Sequence, residues 1–134
     1  MRPILAGLFA IPFLLCQPVS TTAVIANLAT SKWVHDQGDP AGSTNVMLRE
    51  DAKTGGMELL VRYPAGHTFR PHWHSANERI ILLEGRLSLG EKFLDPGGYA
   101  FLPAKEVQRI SCVSKMPCTW YMYWDGKLDF HPAQ

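Results

Sequence analysis

Two histidines and a glutamate stand close together near the middle of this 134-residue chain, as His72, His74 and Glu78. Successive side chains alternate between the two faces of an extended strand, so His72 and His74 project to the same side and Trp73 to the other. Two imidazoles and one carboxylate are the ligand set of many non-haem iron sites, and they also suit zinc, manganese, nickel and copper. The spacing therefore predicts a site for one divalent transition metal ion, with Glu78 as a ligand and the candidate catalytic base.

The elements that must position these side chains are short strands. No window of the sequence shows apolar residues sustained at helical spacing, and Gly, Pro, Asp and Asn punctuate the chain instead. Eight strand segments are predicted: Asn45–Arg49, Met57–Tyr63, Phe69–His74, Glu78–Leu83, Arg86–Leu89, Tyr99–Leu102, Glu106–Val113 and Thr119–Trp124. This rhythm favours an antiparallel sandwich or barrel.

The start of the chain has the pattern of a secretory signal. Arg2 precedes an apolar run from Ile4 to Leu15, and small and polar residues follow. The run is too short to cross a membrane as a helix, which is typical of a signal peptide. We predict a signal peptide at residues 1–26, a single domain at residues 27–134, and a secreted or periplasmic protein without membrane attachment after signal removal. A retained apolar anchor or an N-terminal strand is the alternative.

The charge balance argues against a nucleic-acid partner. The chain has 13 basic and 12 acidic residues, and loss of Arg2 with the signal would leave 12 of each. The basic residues are scattered singly, without the cluster or stripe that holds phosphates. We expect the partner to be a small-molecule ligand or substrate.

The cysteines agree with export. Cys16 lies in the predicted signal peptide, which leaves Cys112 and Cys118 as an even pair. We expect these two to form a disulfide in an oxidising compartment, and loop-closure entropy predicts a stabilisation of about 2 to 2.5 kcal/mol. The alternative is two buried thiols that never meet.

A family resemblance rests on the residues around the histidines. Gly66, His72, His74, Glu78 and Gly85 follow one another with five, one, three and six residues between them. This spacing resembles the first signature of the cupin superfamily. The resemblance implies an all-β fold, a double-stranded β-helix (cupin or jelly-roll) barrel in a single domain, with a metal near its wider mouth. It also implies a homodimer.

The second cupin signature is only partly present. Gly90 and, after five residues, Pro96-Gly97-Gly98 resemble it, but the position where it continues to a histidine reads Gln108. Three interpretations are open. Gln108 ligates the metal through its side-chain oxygen, or orients a bound water or substrate without touching the metal, or the site has lost its metal and the histidines and glutamate hydrogen-bond one another.

Strand alternation predicts which residues line the interior. We expect Cys112 and Cys118 to lie across a hairpin from each other. In that register Gln108 faces Met122, and Trp120 lies on the same inward side as Met122. Trp120 and Met122 are therefore predicted to contact the substrate.

Other polar residues are weaker candidates. Arg70 shares the alternation of the two histidines and is predicted to present a cation to an anionic substrate, although Pro71 can perturb the register and a surface arginine is the alternative. His67 is interpreted as a solvated turn residue. His131, near Asp129, is interpreted as a surface residue.

Two classes of function agree with these residues. The first is a small exported metalloenzyme acting on a small oxygen-bearing substrate, with the dioxygenase, isomerase or lyase chemistry that the cupin resemblance implies. The second is a binding module that holds a small molecule or metal in the same pocket without turnover. The fold does not choose between them.

Overall fold

The computed structural model describes residues 22–36 and 42–134, and within them the chain forms strands and turns without a helix. Eleven strands are present: β1 Val34–His35, β2 Thr44–Glu50, β3 Met57–Tyr63, β4 His72–Trp73, β5 Glu78–Glu84, β6 Leu87–Leu89, β7 Lys92–Leu94, β8 Tyr99–Leu102, β9 Ile110–Cys112, β10 Cys118–Trp124 and β11 His131–Pro132. Residues 1–21, most of the predicted signal peptide, lie outside the described part. In that part, nothing forms a helix that could span a membrane.

The strands form three antiparallel sheets. The largest has six strands in the order β1-β2-β3-β10-β5-β8, the second has the order β7-β6-β9, and the third pairs β11 with β4. One apolar core contains side chains from both the six-stranded and the three-stranded sheet. The predicted all-β jelly-roll fold is confirmed.

The predicted strands differ from the observed ones mainly beside the site. Met57–Tyr63 and Tyr99–Leu102 match the observed bounds, whereas Phe69–His74 shortens to His72–Trp73. Pro71 explains why the strand begins only at His72, because proline has no backbone N–H to donate to a ladder. The short strands β1, β7 and β11 were not predicted, since two or three residues carry no readable periodicity.

Alternation along β5 and β10 builds the interior. On β5, Ile80 and Leu82 have no exposed surface, and each lies opposite a buried residue of β10, Met122 and Trp120 respectively. Burying an aliphatic or aromatic side chain of this size stabilises a fold by about 1.5 to 3 kcal/mol. The inward direction predicted for Trp120 and Met122 is therefore observed.

The disulfide between Cys112 and Cys118 is present, as predicted. The predicted hairpin around it is wrong, because β9 pairs with β6 while β10 pairs with β3 and β5. The disulfide therefore joins two sheets. Gly85 lies against it with φ of 83°, and a Cβ there would come within 2.8 Å of Sγ of Cys118. Only glycine suits a position that combines a left-handed backbone with this close approach.

Candidate metal and ligand site

The two histidines and the glutamate converge inside the barrel. The side chains of His72, His74 and Glu78 are all buried, while Trp73 faces the other way and is half-buried. The imidazole centroids of His72 and His74 are 4.9 Å apart. Nε2 of His74 lies 3.6 Å from Oε2 of Glu78, which begins β5. The alternation around Trp73 and the turn before Glu78 bring these residues together as the sequence predicted.

Gln108 also lies beside these residues, but its backbone pairs with a different strand from the one predicted. Its backbone pairs with His72: N of His72 donates to O of Gln108 at 3.2 Å, and N of Gln108 donates to O of His72 at 2.6 Å. The predicted pairing of Gln108 with Met122 is therefore wrong. The register failed because the chain before β9 crosses to β4 rather than to β10. Gln108 is nevertheless buried.

Each histidine is held by a backbone carbonyl. Nδ1 of His72 donates to O of Arg70 at 2.7 Å, and Nδ1 of His74 donates to O of Asp129. Because a carbonyl only accepts, each Nδ1 carries the proton and each Nε2 keeps a free lone pair in the neutral ring. Burial lowers the pKa of both histidines, which favours that neutral form.

Burial acts on the glutamate in the opposite direction. It raises the pKa of Glu78 from 4.5 to about 7, and the polar side chains of Gln108 and Trp124 oppose this only in part. Oε2 of Glu78, both amide atoms of Gln108 and Nε1 of Trp124 form no hydrogen bond of normal geometry among the described residues, so Gln108 and Trp124 lie close enough to Glu78 to lower its pKa without satisfying it. Buried polar atoms without partners are uncommon, and each one costs free energy.

The chemistry of these donors fits a divalent transition metal. Two neutral imidazoles whose Nδ1 atoms are held by carbonyls, an unpaired carboxylate oxygen and an unpaired amide oxygen are atoms that such an ion accepts. In residues 22–36 and 42–134, however, no three His, Cys, Asp or Glu side chains already surround one point as a metal cluster. A bound ion would therefore require the side chains to draw closer together.

A cavity of about 360 Å³ opens beside these donors. Its apolar wall includes Tyr63, Phe69, Trp120, Met122, Trp124 and Phe130. Trp120 and Met122, predicted to contact the substrate, are on this wall. Arg70 is not: its side chain is exposed, and no lysine or arginine is among the described residues that line the cavity.

The segment after β10 was missed by the sequence analysis. Asp129 and Phe130 line the cavity, and the ring of Phe130 stacks on His72 with centroids 4.4 Å apart. The ring of His131 stacks on Trp73 at 3.9 Å. His131, which was interpreted as a surface residue, keeps 40% of its side chain exposed, but it also contacts the strand that carries the histidines.

One of the residues that the sequence analysis missed could have been found from a sequence pattern, and the others could not. Trp124 continues the alternation that marks Trp120 and Met122, so the same argument would have placed it inside. His67 was interpreted as solvated, but it is half-buried and stacks on Tyr63 with centroids 4.8 Å apart. Neither His67 nor Phe130 lies on a periodic segment that would have indicated its contacts.

Comparison with known proteins gives one family match by sequence. A family model described as the ChrR cupin-like domain matches residues 21–125, beginning ahead of the predicted domain boundary at residue 27. No curated protein sequence matches the chain.

Several solved structures share the fold. An RmlC-like cupin protein from Ralstonia eutropha has a TM-score of 0.70 and 12% identity, over 85% of this chain and 80% of that one. An acetylacetone dioxygenase from Acinetobacter johnsonii has a TM-score of 0.65 and 18% identity, over 83% and 79%. The structure of Rhodobacter sphaeroides SigE in complex with the anti-sigma ChrR contains a chain with a TM-score of 0.62 and 15% identity, over 74% of this chain and 52% of that one. At these identities the likeness concerns the fold alone.

Proposed function

The chain belongs to the ChrR cupin-like family, and we propose that its barrel holds one divalent transition metal ion at which a small, largely apolar, oxygen-bearing molecule binds and reacts. The observation that carries this proposal is the set of buried donor atoms without partners beside an apolar cavity. A fold that leaves such atoms unpaired gives up stability, and binding an ion and a substrate restores it.

The ligands would be Nε2 of His72, Nε2 of His74 and an oxygen of Glu78, with Oε1 of Gln108 as the fourth donor. When bound, the ion would supply Lewis-acid polarisation of a substrate oxygen. The carbonyl oxygens of Arg70 and Asp129 fix which ring nitrogen of each histidine carries its proton, and so direct both Nε2 atoms inward.

The other residues of the cavity bind and orient the substrate. The aromatic wall excludes water and offers ring faces for stacking. Oε2 of Glu78 has no hydrogen-bond partner within the described part of the chain, and it is the atom best placed to take up a proton from a bound molecule. A carboxylate in a dry pocket can move a proton near neutral pH because burial raises its pKa.

The lining of the cavity indicates a class of substrate. Apolar and aromatic side chains dominate, and no lysine or arginine of the described residues reaches the cavity. This favours phenols and diketones over sugars and over anions that would need a cationic partner. Proteins that share the fold include an acetylacetone dioxygenase, a DMSP lyase and a polyketide cyclase, which supports small-molecule chemistry without choosing a reaction.

The second candidate function is a binding module without turnover. One observation favours it: once both histidines hold the ion, the described residues that line the cavity offer no carboxylate besides Glu78 that is free to move a proton. The carboxylate of Asp129 accepts a hydrogen bond from N of Ser75 at 2.8 Å and lies 3.0 Å from Nε2 of His131, so it is already engaged. Proton transfer would then depend on Glu78 alone.

Incubation with candidate substrates separates the two functions. Metal-loaded protein would be mixed with phenols and diketones under oxygen, and both turnover and binding would be measured. We expect turnover that is lost in His74→Ala and kept in the control His35→Ala, whose histidine is exposed on β1. Binding without turnover would favour the module, and neither binding nor turnover would contradict both.

Export is a separate part of the proposal. We propose cleavage after residue 26, and the disulfide between Cys112 and Cys118 supports an oxidising compartment. Expression of residues 1–134 in a bacterium, followed by mass analysis of the secreted protein, should find an N-terminus at residue 27. An N-terminus at residue 1 on cell-associated protein would contradict export.

A homodimer is the last part of the proposal. On the outer face of the six-stranded sheet, Ile81 lies opposite Tyr99 of the edge strand β8, and their exposed fractions are 39% and 59%. Phe101 on the same strand is also exposed, at 46%. An apolar edge of this kind favours association. Sedimentation analysis should show a dimer that dissociates in Ile81→Arg, whereas a monomeric parent protein would contradict it.

A further inference from the structure

The segment after β10 forms one wall of the cavity and lies beyond the residues that the family model matches. Residues 126–134, here called the strap, follow the last residue of the family match at 125. The strap crosses the open end of the barrel and contributes Leu128, Asp129 and Phe130 to the cavity lining. The family match therefore says nothing about the residues of the strap, and their role must be argued from the structure.

The backbone of the strap is anchored at several points. Oδ1 of Asp129 accepts a hydrogen bond from N of Ser75 at 2.8 Å. The ring of His131 stacks on Trp73 at an interplanar angle of 11°, and β11 pairs with β4. O of Asp129 also accepts from Nδ1 of His74. Peeling the strap away would break all of these contacts together, so ligand entry should depend on side chains of the strap rather than on its opening.

Phe130 is the side chain of the strap best placed to control entry. One face of its ring covers the imidazole of His72, with centroids 4.4 Å apart and planes 19° from parallel. Half of the residue remains exposed, at 50%. A half-exposed aromatic ring on a fixed backbone, at the rim of an apolar cavity, costs solvation free energy that contact with an apolar ligand would recover.

We propose that Phe130 is a specificity-determining residue that stacks against flat apolar ligands and limits their size where they approach His72. This inference rests on the proposed function, because it assumes that the cavity binds small apolar molecules. It adds a residue outside the metal ligands and outside the matched family domain. The exposed Leu128 borders the same rim and would complete the contact.

The test compares two flat probes of different size on metal-free protein. Phenol and 1-naphthol would be titrated into wild type, Phe130→Ala and Phe130→Leu, and binding would be followed by the NMR shifts of the indole N–H groups of Trp120 and Trp124. The matched control is Phe93→Ala, because Phe93 is similarly exposed, at 58%, but lies on β7 and does not line the cavity.

We expect Phe130→Ala to weaken phenol binding about three- to tenfold, as loss of an aromatic contact does. Since the rim is then wider, 1-naphthol should lose less, and the ratio of the two affinities should shift toward the larger probe by at least about threefold. Phe130→Leu should fall between, and Phe93→Ala should match wild type. An unchanged ratio in Phe130→Ala, or the same shift in Phe93→Ala, would overturn the inference.

Failure of the proposed function has a different signature, which is that wild type binds neither probe, whether it is metal-free or loaded with metal. In that case acrylamide quenching of tryptophan fluorescence decides on Phe130 separately. Greater quenching of the buried Trp120 and Trp124 in Phe130→Ala than in Phe93→Ala would support its role at the rim. Equal quenching in the two variants would overturn that role.

Discussion

The inward face of β5 crosses two regions of different character, a mouth at Glu78 and a closed end at Leu82. At the closed end, Leu82 and Leu87 have no exposed surface and the disulfide ties two sheets together. At the mouth, oxygen and nitrogen atoms of Glu78 and Gln108 are buried without partners. Four residues along one strand thus separate a region of apolar packing from one whose unpaired buried polar atoms cost stability.

Truncating a buried side chain at the closed end should lower the free energy of unfolding more than any other change considered. Leu82→Ala removes a side chain with no exposed surface and leaves a cavity, so the free energy of unfolding should fall by about 3 kcal/mol. Urea denaturation of the metal-free protein measures it. Val113→Ala is the control, because Val113 is 48% exposed and its truncation should change stability by no more than about 0.5 kcal/mol. Equal losses of unfolding free energy in the two variants would contradict the conclusion that Leu82 is closely packed.

Removing the charge of Glu78 at the mouth should raise the free energy of unfolding, and the size of this increase should depend on pH. Burial raises the pKa of Glu78 from 4.5 to about 7. Between these values the unfolded chain releases the proton while the folded chain keeps it, so the free energy of unfolding falls as pH rises. The Glu78→Gln variant does not show this fall. In the metal-free state its free energy of unfolding should therefore exceed that of wild type by roughly 2 to 3 kcal/mol at pH 8, and by little at pH 4.

The histidines do not disturb this comparison. Burial lowers the pKa of His72 and His74 below 6.5, so they cost stability as pH falls through that value, and both proteins keep them. Denaturation curves at pH 4 and pH 8 give the difference directly. A Glu78→Gln variant that is less stable than wild type at pH 8 would show that the carboxylate is well solvated or well paired.

Removing the disulfide should cost less than emptying the core. Cys112 and Cys118 are six positions apart, and opening a loop of that length lowers the free energy of unfolding by about 2 kcal/mol. The double variant Cys112→Ser/Cys118→Ser tests this in urea. If the two ends of the barrel are independent, the shifts of the His72 and His74 ring protons should be unchanged. A loss of those shifts in a folded protein would show that the ends are coupled.

The smallest effect should come from replacing the amide at the mouth. Both amide atoms of Gln108 are buried without partners, so the unbranched apolar residue in Gln108→Met should raise the stability of the metal-free protein by about 1 kcal/mol. The same change should weaken metal binding if Oε1 is the fourth donor. A stability loss would instead mean that the amide makes a contact worth more than its desolvation.

The sequence predicted the convergence of the three candidate ligands better than the contacts of their neighbours, for a physical reason. His72, His74 and Glu78 converge because alternation and a short turn are local properties of the chain. The partner of Gln108 depends on which sheet the chain enters before β9, and the contacts of Phe130 depend on where a segment without periodicity crosses the mouth. Such long-range pairings are not encoded in local patterns, so Arg70 was expected at the mouth and Phe130 was not.

The lack of long-range information in local patterns also explains why the disulfide was predicted correctly and the hairpin around it was not. The pairing of Cys112 with Cys118 followed from their number and compartment, whereas the hairpin assumed between them did not, since β9 and β10 lie in different sheets. The inward direction of Trp120 was still correct, because alternation along β10 does not depend on which strand is its neighbour.

The central claim, that the mouth of this barrel binds a metal through His72, His74 and Glu78, is tested most directly by anomalous diffraction at several metal edges. Crystals would be grown from untagged protein purified from a metal-supplemented culture. The account predicts an anomalous peak between Nε2 of the two histidines and the carboxylate of Glu78, absent in His74→Ala. A metal-supplemented crystal without a peak at that point, and with Glu78 turned away from the imidazoles, would contradict it.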